Sequence, residues 1–335
     1  MMKIKMFSVR HDEQPAIQQW AKEHNAHIET TSDDFKTDTI NQANGFEVVV
    51  IAQHGPFGGP FGGPEVYQQL ADMGIHHIAL RMTGYDIVDF KAADENGIVV
   101  TNVPGYSPRS VAEEALAHTM IHVRHIEEAE SRMREHNYSW DGLESYEIHN
   151  LTVGILGAGK IGSTVARIFK ALGARVIAND IVQRPELADT LDYVSFDELL
   201  DQSDVLTVHT NLDSTTHHII NEATFKKMKD SAIFINCARG PIVDTKALLD
   251  AIESGEIAAA GLDTLEGEEK VIENDLRGTN QDVSLFDRVM ALPNVSLTPH
   301  IGFYTDAAVQ NMVTIALNDI DLIYHGQPSP HIVHD

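Results

Sequence analysis

Apolar residues along this chain fall in short runs separated by amphipathic stretches, the rhythm of buried strands alternating with covering helices. Lys3 to Val9 reads as a strand and Gln14 to Glu23 as a helix. Glu47 to Ala52 predicts a buried strand and Glu65 to Met73 a helix, with further strands at His77 to Arg81 and Ile98 to Asn102. Together they predict a βα unit with its own core and a parallel sheet. Pro104-Gly105-Tyr106-Ser107-Pro108 is turn chemistry and a candidate domain boundary. Beyond it, Val111 to Arg134 carries one long helical pattern.

The alternation then resumes. Leu151 to Leu156 predicts a strand, Ser163 to Leu172 a helix and Ala174 to Ala178 a strand. Strands follow at Val205 to Thr210, Ala232 to Asn236, Ala259 to Asp263 and Val295 to Leu297, with helices at Thr224 to Lys229 and Thr245 to Ser254. The last helix, Asp306 to Tyr324, is expected to return to the N-terminal unit. Small or polar residues stand directly after the strands: Thr210-Asn211, Cys237-Ala238-Arg239, Asp263-Thr264 and Thr298-Pro299-His300. Open parallel sheets bind ligands outside the carboxyl ends of their strands, so these clusters are expected to converge on one crevice.

Composition narrows the function classes. The 335 residues exceed one typical core and imply about two domains. A formal net charge of −26 argues against nucleic acid or an anionic membrane as partner, and makes an anionic substrate dependent on a local cation. The single cysteine, Cys237, excludes an internal disulfide and suits a reducing compartment. The N-terminus lacks the apolar segment of a signal peptide and no stretch is long enough to span a bilayer, so a cytoplasmic protein is expected.

The sharpest chemical signal is Gly157-Ala158-Gly159-Lys160-Ile161-Gly162, lying between a predicted strand and a predicted helix, with Asp180 after the next strand. Gly157 permits a tight turn, Gly159 lets the backbone approach a pyrophosphate, and Gly162 lets the helix pack closely on the strand. The helix N-terminus offers free N–H groups to phosphates, and Asp180 can accept hydrogen bonds from a ribose 2′-hydroxyl. That acid favours NAD over NADP, although Arg184 stands close by. Arg239, at a strand end, reads either as a two-pronged clamp on a carboxylate or as a surface ion pair. His300 reads either as a proton donor to a developing alkoxide or as an ordinary loop histidine, one of 18 in the chain. Glu268 could hold and charge such a histidine, but Glu266 and Glu269 compete for that place in an acidic loop. His118, His122 and His125 share a helix face at metal-ligand spacing, yet the apolar residues between them favour packing or an oligomer interface, and no metal is expected. Cys237 lacks an evident base and reads as a small residue at a strand end rather than a nucleophile.

These motifs carry a resemblance. GAGKIG, NCARGPIVD, GLDTLEGE and LTPHIGFYT, with TNVPGYSP in the first third, resemble the NAD-dependent D-2-hydroxyacid dehydrogenases, most closely the D-lactate and D-2-hydroxyisocaproate dehydrogenase branch. The resemblance covers nearly the whole chain in the right order. It implies an α/β fold of two Rossmann-like or flavodoxin-like parallel-sheet domains with a cleft between them. Residues 1–103 plus 301–335 would form the substrate (catalytic) domain and residues 104–300 the NAD-binding domain. It further implies Arg239 as the substrate-binding arginine, His300 as the proton donor and Glu268 as its carboxylate partner. Asp263 matches an aspartate near the nicotinamide, and Asp180 the ribose-binding acid. Gly157, Gly159, Lys160, Ile161, Gly162, Thr210, Asn211, Thr216, Cys237 and Ala238 match cofactor contacts, and Thr83, Gly84 and Tyr106 positions lining the substrate site. The implied reaction is reduction of a 2-keto acid, pyruvate first, by NADH in a homodimer whose long helix from Val111 contributes to the interface. A bulkier 2-keto acid and an NAD-sensing corepressor-like role are the alternatives. The lack of a long extra C-terminal segment counts against a regulated phosphoglycerate dehydrogenase.

Two departures stand out. Arg81-Met82-Thr83-Gly84 replaces the frequent Arg-Asn-Val-Gly, and Lys160 replaces a histidine in the fingerprint. The tandem Pro-Phe-Gly-Gly run at residues 54–64 predicts an extended loop, with Phe57 or Phe61 either setting side-chain selectivity or merely anchoring a solvent loop.

Overall fold

A computed structural model describes residues 1–53, 63–85 and 87–334, so the Pro-Phe-Gly-Gly phenylalanines lie outside the described residues. The chain divides into two compact units, Met1–Ser107 with Tyr304–Asp335, and Pro108–Phe303.

In the first unit the described residues form β1 (Lys3–Met6), β2 (His27–Thr30), β3 (Val48–Ile51), β4 (His77–Leu80) and β5 (Val99–Thr101), all parallel in the order β2-β1-β3-β4-β5. Helices α1 (Gln14–Glu23), α2 (Glu65–Asp72) and α3 (Phe90–Glu95) connect them. Alternation along each strand sends its side chains to opposite faces. Val49 and Ile51 pack with Phe7, Phe35 and Leu70, while Val48 and Val50 pack with Trp20. The C-terminal helix, Asp306–Tyr324, covers this second face with Val313, Leu317 and Ile320.

The second unit holds helix α4 (Pro108–Val123), α5 (Ile126–Arg134), β6 (Thr152–Leu156), α6 (Lys160–Ala171), β7 (Arg175–Asn179) and β8 (Asp192–Tyr193). It continues with α7 (Phe196–Gln202), β9 (Val205–Val208), α8 (Glu222–Phe225), β10 (Ile233–Asn236), α9 (Thr245–Ser254), β11 (Ala259–Leu262), α10 (Ser284–Met290) and β12 (Val295–Leu297). The parallel sheet runs β12-β11-β10-β9-β6-β7-β8 and buries apolar residues on both faces. Strand order reverses direction between β6 and β9, the position where an open α/β sheet leaves a crevice.

The single helix expected from Val111 to Arg134 is two. His125, at φ +52°, sits in the left-handed region between α4 and α5. Val123 is the last buried residue before the break, and α5 has none. Once the chain leaves the core, packing no longer holds the helix straight, while the apolar pattern at Ile126 and Met133 continues without a glycine or proline to mark the break.

Candidate active site and dinucleotide cradle

The glycine fingerprint occupies the turn from β6 into α6. Gly157 takes φ +91°, and its N–H donates to the Asn179 carbonyl at 2.9 Å. A β-carbon on Gly157 would come within 2.8 Å of the His209 and Thr210 backbone, and one on Gly162 within 1.9 Å of the Gly157 carbonyl oxygen. Close approach therefore requires both glycines. Gly159 differs: a β-carbon there would meet nothing within 4 Å. The backbone at the start of α6 thus faces open space, with Lys160 exposed and Ile161 half-buried. Asp180 follows β7, and its carboxylate accepts the Ala158 N–H and the Val182 N–H, each at 2.7 Å. Arg184 pairs with the same carboxylate at 3.3 Å. A helix N-terminus opening onto empty space, with an acid tethered beside it, fits the pyrophosphate and ribose of a dinucleotide.

The strands beyond the switch point contribute their own turns. Thr216 Oγ donates to the Asn211 carbonyl at 2.7 Å and accepts the Asp213 N–H at 2.8 Å, which closes the loop after Thr210. His209, absent from the sequence candidates, is half-buried with its ring 2.8 Å from Thr207 Oγ, and burial of the ring pushes its imidazole down to about 3. Among the described residues its Nδ1 has no hydrogen-bond partner. The available signal was a histidine directly before Thr210 at a strand end.

At the end of β10, Asn236 ties the turn together by accepting the Ala238 N–H and donating to the Arg239 carbonyl, both at 3.0 Å. Arg239 Nη1 donates to the Ala238 carbonyl at 2.8 Å. Cys237 is buried, and burial with the nearby Asp263 and Glu114 charges raises its thiol well above the usual range. A thiol of that kind is a poor nucleophile.

His300 Nδ1 lies 2.8 Å from Glu268 Oε1, and the other Glu268 oxygen accepts the Leu265 N–H at 2.9 Å. Glu266 instead contacts His218 and the Thr245 N–H, so of the acidic residues in this loop Glu268 is the one brought to His300. The His300 backbone takes φ +55°, a strained value for a histidine. Asp263 holds it there, accepting the Ile301 N–H and the Gly302 N–H at 2.8 Å each. Burial raises the Asp263 carboxyl, opposed by the His300 charge and these donors.

The remaining sequence candidates belong to the first unit. Thr83 and Gly84 follow β4; Thr83 Oγ donates to the Val103 carbonyl and the Thr83 carbonyl accepts from Asn102, both at 2.7 Å. The Tyr106 carbonyl accepts from Asn311 at 2.7 Å. His118 and His122, singled out for their spacing, turn their rings to Ser296 on β12, whereas His125 sits at the helix break beside Glu128.

Comparison with known proteins extends this geometry. The D-isomer specific 2-hydroxyacid dehydrogenase NAD binding domain matches residues 116–302. A D-lactate dehydrogenase of Streptococcus agalactiae is 36% identical over 95% of this chain and 95% of its own length. The structure of a D-lactate dehydrogenase from Sporolactobacillus sp. is 46% identical, with a TM-score of 0.83 over 100% of this chain and 99% of that one. A D-lactate dehydrogenase with NAD+ from Lactobacillus jensenii is 36% identical, with a TM-score of 0.87 over the full length of both chains.

Proposed function

The chain belongs to the D-isomer specific 2-hydroxyacid dehydrogenases, NAD-dependent oxidoreductases, and on that premise we propose that it reduces pyruvate to D-lactate. The carrying observation is the 2.8 Å contact between His300 and Glu268 in the loops that follow β12 and β11. Arg239 binds the substrate carboxylate and keto oxygen through its planar fork. His300 gives its proton from Nε2, the nitrogen opposite the one Glu268 holds, to the oxygen that becomes the hydroxyl. Glu268 fixes the ring, and Asp263 fixes the backbone on which the ring stands. NADH, when bound, supplies the hydride that reduces the keto carbon. Gly157, Gly159, Gly162, Lys160, Ile161, Asp180, Thr210, Asn211, Thr216, Cys237 and Ala238 are its assigned contacts. Thr83, Gly84 and Tyr106 are assigned to the substrate. Names of relatives, D-lactate dehydrogenase above all, support pyruvate as the substrate.

The enzyme is assigned as a homodimer working in the cytoplasm. Exposed apolar residues on and after α5, namely Ile126, Met133, Tyr138, Trp140 and Tyr146, support a second copy as the covering partner. A single cysteine and a need for NADH fit a reducing compartment.

The test is NADH oxidation with pyruvate, with chiral analysis of the product and light scattering for mass. Arg239→Lys keeps the charge but loses the fork, and should lower kcat/KM about a hundredfold or more. Near-normal turnover by that variant, or L-lactate as product, removes the proposal.

A further inference from the structure

A chain of side-chain hydrogen bonds runs inward from α4 to the loop that carries His300. His122 Nε2 lies 2.8 Å from Ser296 Oγ, which lies 2.7 Å from His118 Nδ1. His118 Nε2 is 3.0 Å from Thr298 Oγ, and Thr298 Oγ is 2.7 Å from Asp263 Oδ1. Its direction follows from its last member. Thr298 Oγ faces two carboxylates, Asp263 and Glu114, and an ionised carboxylate only accepts, so the hydroxyl proton is committed to this acidic side. Thr298 then accepts from His118, which places the His118 proton on Nε2. A neutral imidazole must accept at its other nitrogen, so Ser296 donates to Nδ1, while His122, which also meets the Ala260 backbone, flanks the same hydroxyl.

Two observations show that the fold makes room for this chain. A β-carbon on Gly261 of β11 would lie 2.6 Å from the His118 β-carbon, so the imidazole occupies space that any other residue would fill. His118 is also 1% exposed, and burial holds it and His122 neutral, both pushed down to about 4. Glu114, one turn earlier on α4, stands 3.6 Å from His118 Nε2 and adds a carboxylate beside Asp263. Asp263 is therefore gripped on one side by Thr298 and on the other by the N–H groups that follow His300.

We propose that His118 is a positioning residue for the reaction: held by Ser296, it locks Asp263 through Thr298, and Asp263 locks the strained backbone of His300. The proposal rests on His300 being the proton donor. Loosening the chain lets the imidazole drift from the substrate oxygen, which lowers the rate of the chemical step while leaving substrate affinity in place.

The test uses the full-length protein with NADH and pyruvate. His118→Leu removes both of its own bonds; Ser296→Ala removes the links to His118 and His122 with little change in volume; His118→Gln restores one donor and one acceptor. The expected result is a loss of about tenfold in kcat for His118→Leu and Ser296→Ala, with KM for pyruvate and NADH affinity within about twofold, and substantial recovery in His118→Gln. His300→Gln is measured alongside. If His300→Gln is inactive while His118→Leu and Ser296→Ala keep wild-type kcat, the relay is overturned and the proton-donor assignment stands. A loss of kcat that tracks the thermal midpoint and is not recovered by His118→Gln also overturns the relay. If His300→Gln itself turns over normally, the functional reading fails and takes the relay with it.

Discussion

Arg81 and Glu13 are both fully buried, with the arginine Nε and Nη2 lying 2.7 and 3.0 Å from the two oxygens of the carboxylate. Arg81 also donates to the Ser8 carbonyl at 3.0 Å, so it ties β1 to β4 at their carboxyl ends. The first residue of the departing Arg81-Met82-Thr83-Gly84 segment is thus committed to the core of the first unit.

Removing one partner should leave the other charged and unsolvated. Glu13→Ala is expected to cost about 3–5 kcal/mol of stability, by far more than any exposed ion pair in the chain. Urea unfolding measures it; a cost below about 1 kcal/mol would show that the pair is not an element of the fold.

Two buried and two half-buried histidines set the acid limit. Burial pushes His77, His118 and His122 down to about 4 and His209 to about 3, from an ordinary value of 6.5. Each is neutral in the folded protein and takes up a proton on unfolding below pH 6.5. Their lowered values therefore mean that stability is intact above that pH and falls as pH drops toward 4, by about 1.4 kcal/mol per unit for each histidine at most. Denaturation series at pH 7, 6 and 5 should show this loss, and a flat profile across that window contradicts it. His209→Asn should make the profile shallower by about one proton.

Asp180 should decide the choice of dinucleotide. Replacing it with alanine removes the ribose acceptor and releases Arg184, 3.3 Å away, toward a 2′-phosphate. The ratio of kcat/KM for NADPH to that for NADH is expected to rise about tenfold or more, read by parallel assays. An unchanged ratio would place cofactor choice elsewhere.

Periodicity located the elements with strong apolar faces to the residue: Gln14–Glu23, Thr245–Ser254, Val295–Leu297 and Asp306–Tyr324 are as expected. It missed β2, whose His27–Thr30 side chains are only half-buried on one face, and β8, two residues at the sheet edge. It also passed over α7, although Ser195 and Glu198 form a capping box readable in sequence. In the site, the residues that stand in one contiguous motif could be found, because turn chemistry and strand ends mark them. The competition among Glu266, Glu268 and Glu269 needed the loop geometry. The link from His118 to Ser296 spans 178 positions, and no local pattern encodes a contact of that kind. The same holds for Arg81 and Glu13.

The fingerprint glycines allow cofactor binding to be separated from folding. Gly162→Ala would drive a methyl group to 1.9 Å from the Gly157 carbonyl oxygen, so it should lower the thermal midpoint by about 5 °C or more and weaken NADH together with the fold. Gly159→Ala meets nothing within 4 Å of its new carbon in the protein itself. It should leave the midpoint within about a degree, since only the small backbone preference for alanine in an extended conformation is at stake. If the pyrophosphate rests against this backbone, the same methyl group stands in its path, and the NADH dissociation constant should rise about tenfold or more. Fluorescence titration and calorimetry of the two variants read both quantities. Undiminished NADH binding by a stable Gly159→Ala variant would move the phosphates away from the start of α6.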